Sequence, residues 1–108
     1  MNTKAKVEST HLSYDSRLGT ASIYLEVSGE GFPRQKFGGT FGDDALRVAG
    51  RLISICKARH WEDVAGKEII ADVEDGKVVD ISDPSGSAWF GRLKHISVPD
   101  LAVFERYL

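Results

Sequence analysis

Between Ala21 and Ser28 the chain reads ASIYLEVS, in which Ala21, Ile23, Leu25 and Val27 alternate with Ser22, Tyr24, Glu26 and Ser28. A period of two puts the two sets on opposite faces of an extended strand, so this stretch demands a sheet with one buried and one solvated face. Just before it, Lys6 to Tyr14 carries Val7, His11, Leu12 and Tyr14 among polar residues, and Asp15 to Gly19 has turn chemistry. The two segments are expected to pair as a hairpin. Gly29, Gly31 and Pro33 interrupt the pattern, and Gln35 to Phe41 is expected as a third strand, in which Phe37 and Phe41 share one orientation if the strand stays regular.

The period then changes. Asp43 or Asp44 is placed to cap a helix, and Leu46, Ala49, Ile53 and Cys56 form an apolar line that Val48, Leu52 and Ile55 widen into a buried arc. This helix is expected to run to Arg59 or His60. WEDVAGK reads as a turn closed by Gly66, Glu68 to Val73 as a strand, Asp75-Gly76 as a tight hairpin turn, and Val78 to Ile81 as the returning strand. DPSGS breaks the chain at residues 83–87, Ala88 to Ile96 is expected to be extended, and Pro99 to start a last short helix holding Leu101, Val103, Phe104 and Tyr107. The expected fold is a single α+β domain over residues 1–108, with a mostly antiparallel sheet and one long helix packed on a face. Its element order is β-β-(β)-α-β-β-(β)-α.

Charge and cysteine content narrow the function. The net charge of -2 argues against a strongly basic nucleic-acid binder and a strongly acidic DNA mimic. Residues 61–83 hold two Lys/Arg and eight Asp/Glu, an acidic island read as the solvated edge of a sheet. No apolar run approaches the roughly 18 residues that span a bilayer, and the polar start MNTKAKVEST lacks a secretory signal's apolar region. The lone Cys56 agrees with a reducing compartment, and the expected localisation is cytoplasmic.

Little in the chain looks like chemistry. FGGTFG runs into the helix as a phosphate cradle would, but Asp43 and Asp44 follow the last glycine and would repel an anion at the helix start. The glycines are better read as a bulge or a positive-φ corner where the chain leaves the sheet. His11, His60 and His95 lack metal-ligand spacing, Asp72, Glu74, Asp75, Asp80 and Asp83 do not follow a calcium-loop pattern, and Ser85 is outside any nucleophile elbow. Cys56 sits on the apolar side of the helix and is read as core. No catalytic residue, metal or cofactor is expected.

What remains is surface. Arg47, Arg51 and Ser54 follow i, i+4, i+7 spacing on the long helix, with Lys57 and Arg59 nearby. Arg34 and Lys36 would extend that basic patch if they came close to it. Trp61, just past the helix end, is an aromatic that either closes the core or anchors a partner. Arg34, Lys36, Arg47, Arg51, Lys57 and Trp61 are therefore the candidate binding residues, and the partner is either a protein or a nucleic acid. A second copy is a further candidate, because a small domain with 42% hydrophobic residues can leave part of a sheet face uncovered.

The order and spacing of Phe37, Gly38, Gly39, Gly42, Trp61, Glu62, Asp63, Gly66, Lys67, Gly76, Lys77, Val78, Trp89 and Phe90 resemble a group of small bacteriophage and prophage proteins. In these, a Gly-rich stretch and a helix are followed by a WEDL-x-GK turn, a β-hairpin and a terminal WF. This chain departs from the pattern at Val64, where Leu is frequent, in its DPSGS, and in a tail from Arg92 to Leu108. The resemblance implies a mobile-element origin and no catalytic residues. It implies a non-enzymatic accessory protein acting by stoichiometric binding to a host or phage protein complex, including inhibition of a host nucleoprotein or defence complex. The alternative is a small nucleic-acid or nucleotide-binding module.

Overall fold

The computed structural model describes residues 1–91. Five strands, β1 (Asn2–Asp15), β2 (Thr20–Gly29), β3 (Phe32–Phe41), β4 (Glu68–Glu74) and β5 (Lys77–Ser82), form one antiparallel sheet in the order β3-β2-β1-β4-β5. Three strands run as a meander and the fourth returns to lie beside the first, which is the Greek-key arrangement. The alternation in β2 has the predicted outcome: Ile23, Leu25 and Val27 are buried and Ser22, Tyr24, Glu26 and Ser28 line the other face.

The sheet is antiparallel as expected, but it curls into a half-barrel and carries only a short helix, which overturns the expectation of one long helix packed on a sheet face. Gln35 spans from β3 to β5: its Nε2 donates to the Gly76 carbonyl at 2.9 Å, and its Oε1 accepts from Val78 N–H at 2.8 Å. Phe90 also fills the gap between these strands. Its N–H donates to the Ile81 carbonyl at 2.9 Å, Trp89 bridges to Ser82, and the Phe90 ring meets Phe37 edge-on at 5.4 Å. The seam is thus closed by side chains and one short extended segment rather than by a β3-β5 ladder.

The one helix among the described residues, α1 (Ala45–Ile55), has 11 residues. It stops short of Arg59 because Lys57 adopts φ 57. Ala58 N–H then donates to the Ile53 carbonyl and Lys57 N–H to the Ser54 carbonyl, the pair of bonds that ends a helix in a Schellman motif. The buried line is Val48, Leu52 and Ile55, with Cys56 just beyond, whereas Leu46 is 86% exposed. Asp44 is the N-cap, without a side-chain capping bond.

Local chemistry explains the remaining joints. Asp75 and Gly76 take φ 53 and 78 between the paired Glu74 and Lys77, the two-residue hairpin turn that Asp-Gly favours. The segment after α1 forms a 3-10 turn, Trp61–Asp63, followed by the buried Val64. Gly66 N–H then donates to the Val7 carbonyl at 2.7 Å, and Val7 N–H to the Lys67 carbonyl at 2.9 Å, which ties the turn to β1. The expected helix from Pro99 and the extended stretch beyond Gly91 lie outside the described residues.

Candidate binding face

The solvated face of β1, β2 and β3 carries rows of side chains aligned by register. Opposite each other lie His11 and Tyr24, Tyr24 and Gly38, Glu26 and Lys36, and Ser22 and Thr40. The His11 and Tyr24 rings stack at 4.5 Å with 10° between their planes, and the Lys36 ammonium sits 4.6 Å from the Tyr24 centroid. Arg34 Nε donates to Glu26 Oε2 at 2.7 Å, and the hydroxyls of Ser22 and Thr40 are hydrogen bonded at 3.0 Å. Near the edge of the face the Ser28 hydroxyl donates to Glu8, and this bond holds the Glu8 carboxyl below its usual range.

Gly38 lets Tyr24 sit there. It has φ 144, and a Cβ on it would lie 2.1 Å from the Ile23 carbonyl oxygen and 2.6 Å from Tyr24 Cα. Gly38 thus has the expected positive φ, but it marks a close approach between β3 and β2 inside the strand rather than the corner where the chain leaves the sheet. From sequence His11 is readable only as a residue of the first strand and Tyr24 only as a polar-face residue. Their pairing needs the register, which a bulge at Glu8 shifts between Val7 and Ser9.

The remaining candidate residues lie elsewhere. Arg34 and Lys36 project from the outer face of β3, whereas α1 delivers Val48, Leu52 and Ile55 to the enclosed core, so the six residues divide between two surfaces. On the helix side, Arg51 donates to the Phe90 carbonyl and lies 4.9 Å from the Phe90 ring centre, and Lys57 approaches Asp83 at 3.6 Å. These two cations hold the segment that closes the seam. Arg47 is exposed and 4.0 Å from Asp44, and Trp61 is half-buried and packs against the core.

Two buried carboxylates anchor the same segment, and only DPSGS hinted at one of them. Asp83, 1% exposed, accepts from the Ser85 and Ser87 hydroxyls and from the Ser87 and Ala88 N–H groups. Burial opposes its ionisation, but these bonds, led by that from the Ser87 hydroxyl, outweigh it and hold the carboxyl well below the usual range. Asp80 accepts from Ile81 and Gly91 N–H, yet burial prevails and its pKa is raised. Burial likewise pushes the Cys56 thiol up to about 11, which removes it as a nucleophile at neutral pH.

Among the described residues no group of three His, Cys, Asp or Glu is placed to hold a metal ion, and no helix is long and apolar enough to cross a membrane. No family model, curated protein or solved structure matches the chain.

Proposed function

We propose that this chain is a non-enzymatic binding domain that contacts a protein partner stoichiometrically through the outer face of β1, β2 and β3. The observation that carries this reading is the His11-Tyr24-Lys36 row, an aromatic centre between polar rows of both charge signs. Tyrosine and arginine at the middle of a mixed polar rim are the composition of protein interfaces, whereas a nucleic-acid groove presents cations that are free to meet phosphates. Here Arg34 is already paired with Glu26, and Glu8 adds negative charge close by. An accessory role directed at a host or phage complex, including inhibition of a nucleoprotein or defence complex, rests on the phage-protein resemblance, and a cytosolic setting on the lone Cys56 and the lack of a long apolar run.

Affinity capture from a nuclease-treated bacterial lysate tests it, with Tyr24→Ala and Lys36→Glu beside the unaltered chain. A protein captured in stoichiometric amount by the unaltered chain and lost with both variants is expected. Equal capture by the variants would move the contact off this face.

One observation favours a second reading. Partly open five-stranded Greek-key barrels often bind oligonucleotides on the face of their second and third strands, where Arg34, Lys36 and Tyr24 lie here. Binding of a labelled single-stranded oligonucleotide whose affinity falls steeply with salt, and is lost in Lys36→Glu, would replace the first reading by this one.

A further inference from the structure

β1 is flanked by β4 at its start, by β4 and β2 together around Ala5 and Lys6, and by β2 alone from Ser9 onward. From Asn2 to Lys6 it pairs with β4, and Val7 is bonded to Gly66 and Lys67. From Ser9 to Asp15 it pairs with β2 on one side. Among the described residues no strand lies on the other.

The register shows which groups face that open side. N–H and C=O of Val7 point toward the β4 side, and the bulged Glu8 resets the alternation, so Ser9, His11 and Ser13 direct their backbone groups to β2. Those of Thr10, Leu12 and Tyr14 face outward at the edge. Their side chains share the face of Ala21, Ile23 and Leu25, which are buried, yet Leu12 is 55% and Tyr14 70% exposed. Leu18 in the adjoining turn is 71% exposed.

Charge sharpens the contrast. Edge strands are normally guarded by Lys, Asp, Glu or Pro, and the covered half of β1 carries Lys4 and Lys6. From Ser9 to Tyr14 there is no charged residue other than the titratable His11 and no proline. An edge whose backbone groups meet no strand among the described residues, with exposed apolar side chains and no guarding charge, is fitted to receive one. An edge without fixed charge can receive its own copy, because a twofold axis sets no like charges opposite one another.

We propose that a second copy of this chain adds to this edge, β1 against β1, antiparallel about a twofold axis at Leu12. Leu12 then faces the partner's Leu12, Thr10 the partner's Tyr14, His11 the partner's Ser13, and Ser9 the partner's Asp15. Thr10, Leu12 and Tyr14 exchange backbone hydrogen bonds across the axis, and the two exposed apolar side chains become cross-strand contacts.

The axis makes a specific test available. Sedimentation equilibrium of the full chain should give twice the 11.9 kDa chain mass at high concentration. Leu12→Asp and Leu12→Lys should each raise the dissociation constant about tenfold or more, because like charges then meet across the axis. An equimolar mixture of the two should regain the dimer mass. Leu12 is half-exposed, so neither variant threatens the fold. As a second measurement, Leu12→Cys should crosslink to a dimer under mild oxidation while Ser54→Cys, on the exposed side of α1, does not. The buried Cys56 will not compete. A monomer at every concentration, or a dimer indifferent to charge at position 12, overturns the proposal. Failure of the outer-face reading would register separately, since Tyr24→Ala alters partner capture and leaves the mass unchanged.

Discussion

The two halves of β1 belong to one strand, yet they lead different lives. The first half pairs with β4 and, from Ala5, with β2 as well, and its Ala5 and Val7 are buried in the core. The second half turns the same inward face to solvent at Leu12 and Tyr14. Alternation of side chains is therefore not enough to bury a residue; a covering element must also be supplied. At this closed end the shared core that includes Phe90 supplies it, and among the described residues nothing does so at the open end.

The largest expected effect tests the closed end. Phe90→Ala removes a buried ring that touches Phe37 and Arg51 and should cost about 3–5 kcal/mol in denaturant unfolding. A cost below about 1 kcal/mol would mean the seam does not depend on it. Gly38→Ala should follow, at roughly 3 kcal/mol, because the new methyl meets the β2 backbone in a conformation unsuited to alanine. Circular-dichroism melts would reveal this as a lowered Tm, and an unchanged Tm would show that β3 can move away from β2.

Gln35→Ala leaves Gly76 C=O and Val78 N–H without the amide and should cost about 1–3 kcal/mol, measured by the same unfolding. Acid titration separates two anchors of the seam. The Asp83 pKa is lowered by folding, so its stabilisation is present above the unfolded value of about 3.9 and lost as pH falls from there through the folded value. That of Asp80 is raised, so it costs stability above its folded pKa, and the cost fades as pH falls through the folded and then the unfolded value. Melting from pH 3 to pH 7 should accordingly show Asp83→Asn with a lower Tm at pH 7 and a flatter acid limb. Asp80→Asn should be at least as stable as the parent at pH 7, with the difference closing toward pH 3. Parallel curves for the two variants would contradict the opposed shifts.

Smallest of all, Leu12→Ala should change the stability of the dilute monomer by no more than about 0.5 kcal/mol. A loss comparable to that of Phe90→Ala would show that the open end is covered after all.

Much of this architecture was legible because its signals are local. The ASIYLEVS alternation, the Asp75-Gly76 turn and the Val48-Leu52-Ile55 arc each specify their own element. Curling of the sheet was not legible, since it depends on Gln35 reaching a hairpin some forty residues later in the chain. The helix ends before its apolar pattern does because Lys57 occupies a conformation usually taken by glycine, leaving no stop signal in the sequence at the true end. As to the candidate site, Arg34 and Lys36 were recognisable as surface cations. Their separation from Arg47, Arg51 and Lys57, and the stacking of His11 on Tyr24, follow from strand register, which composition does not reveal.

The Gln35 amide has a further consequence for motion. Val78 N–H donates to a side chain, whereas Val7 N–H donates to the Lys67 backbone beside the core. A rotamer change of one glutamine frees the first amide, while the second is released only when the turn after α1 leaves β1. Hydrogen exchange at Val78 would thus run ahead of exchange at Val7, recording how often the barrel breathes at its seam while the rest of the sheet stays shut.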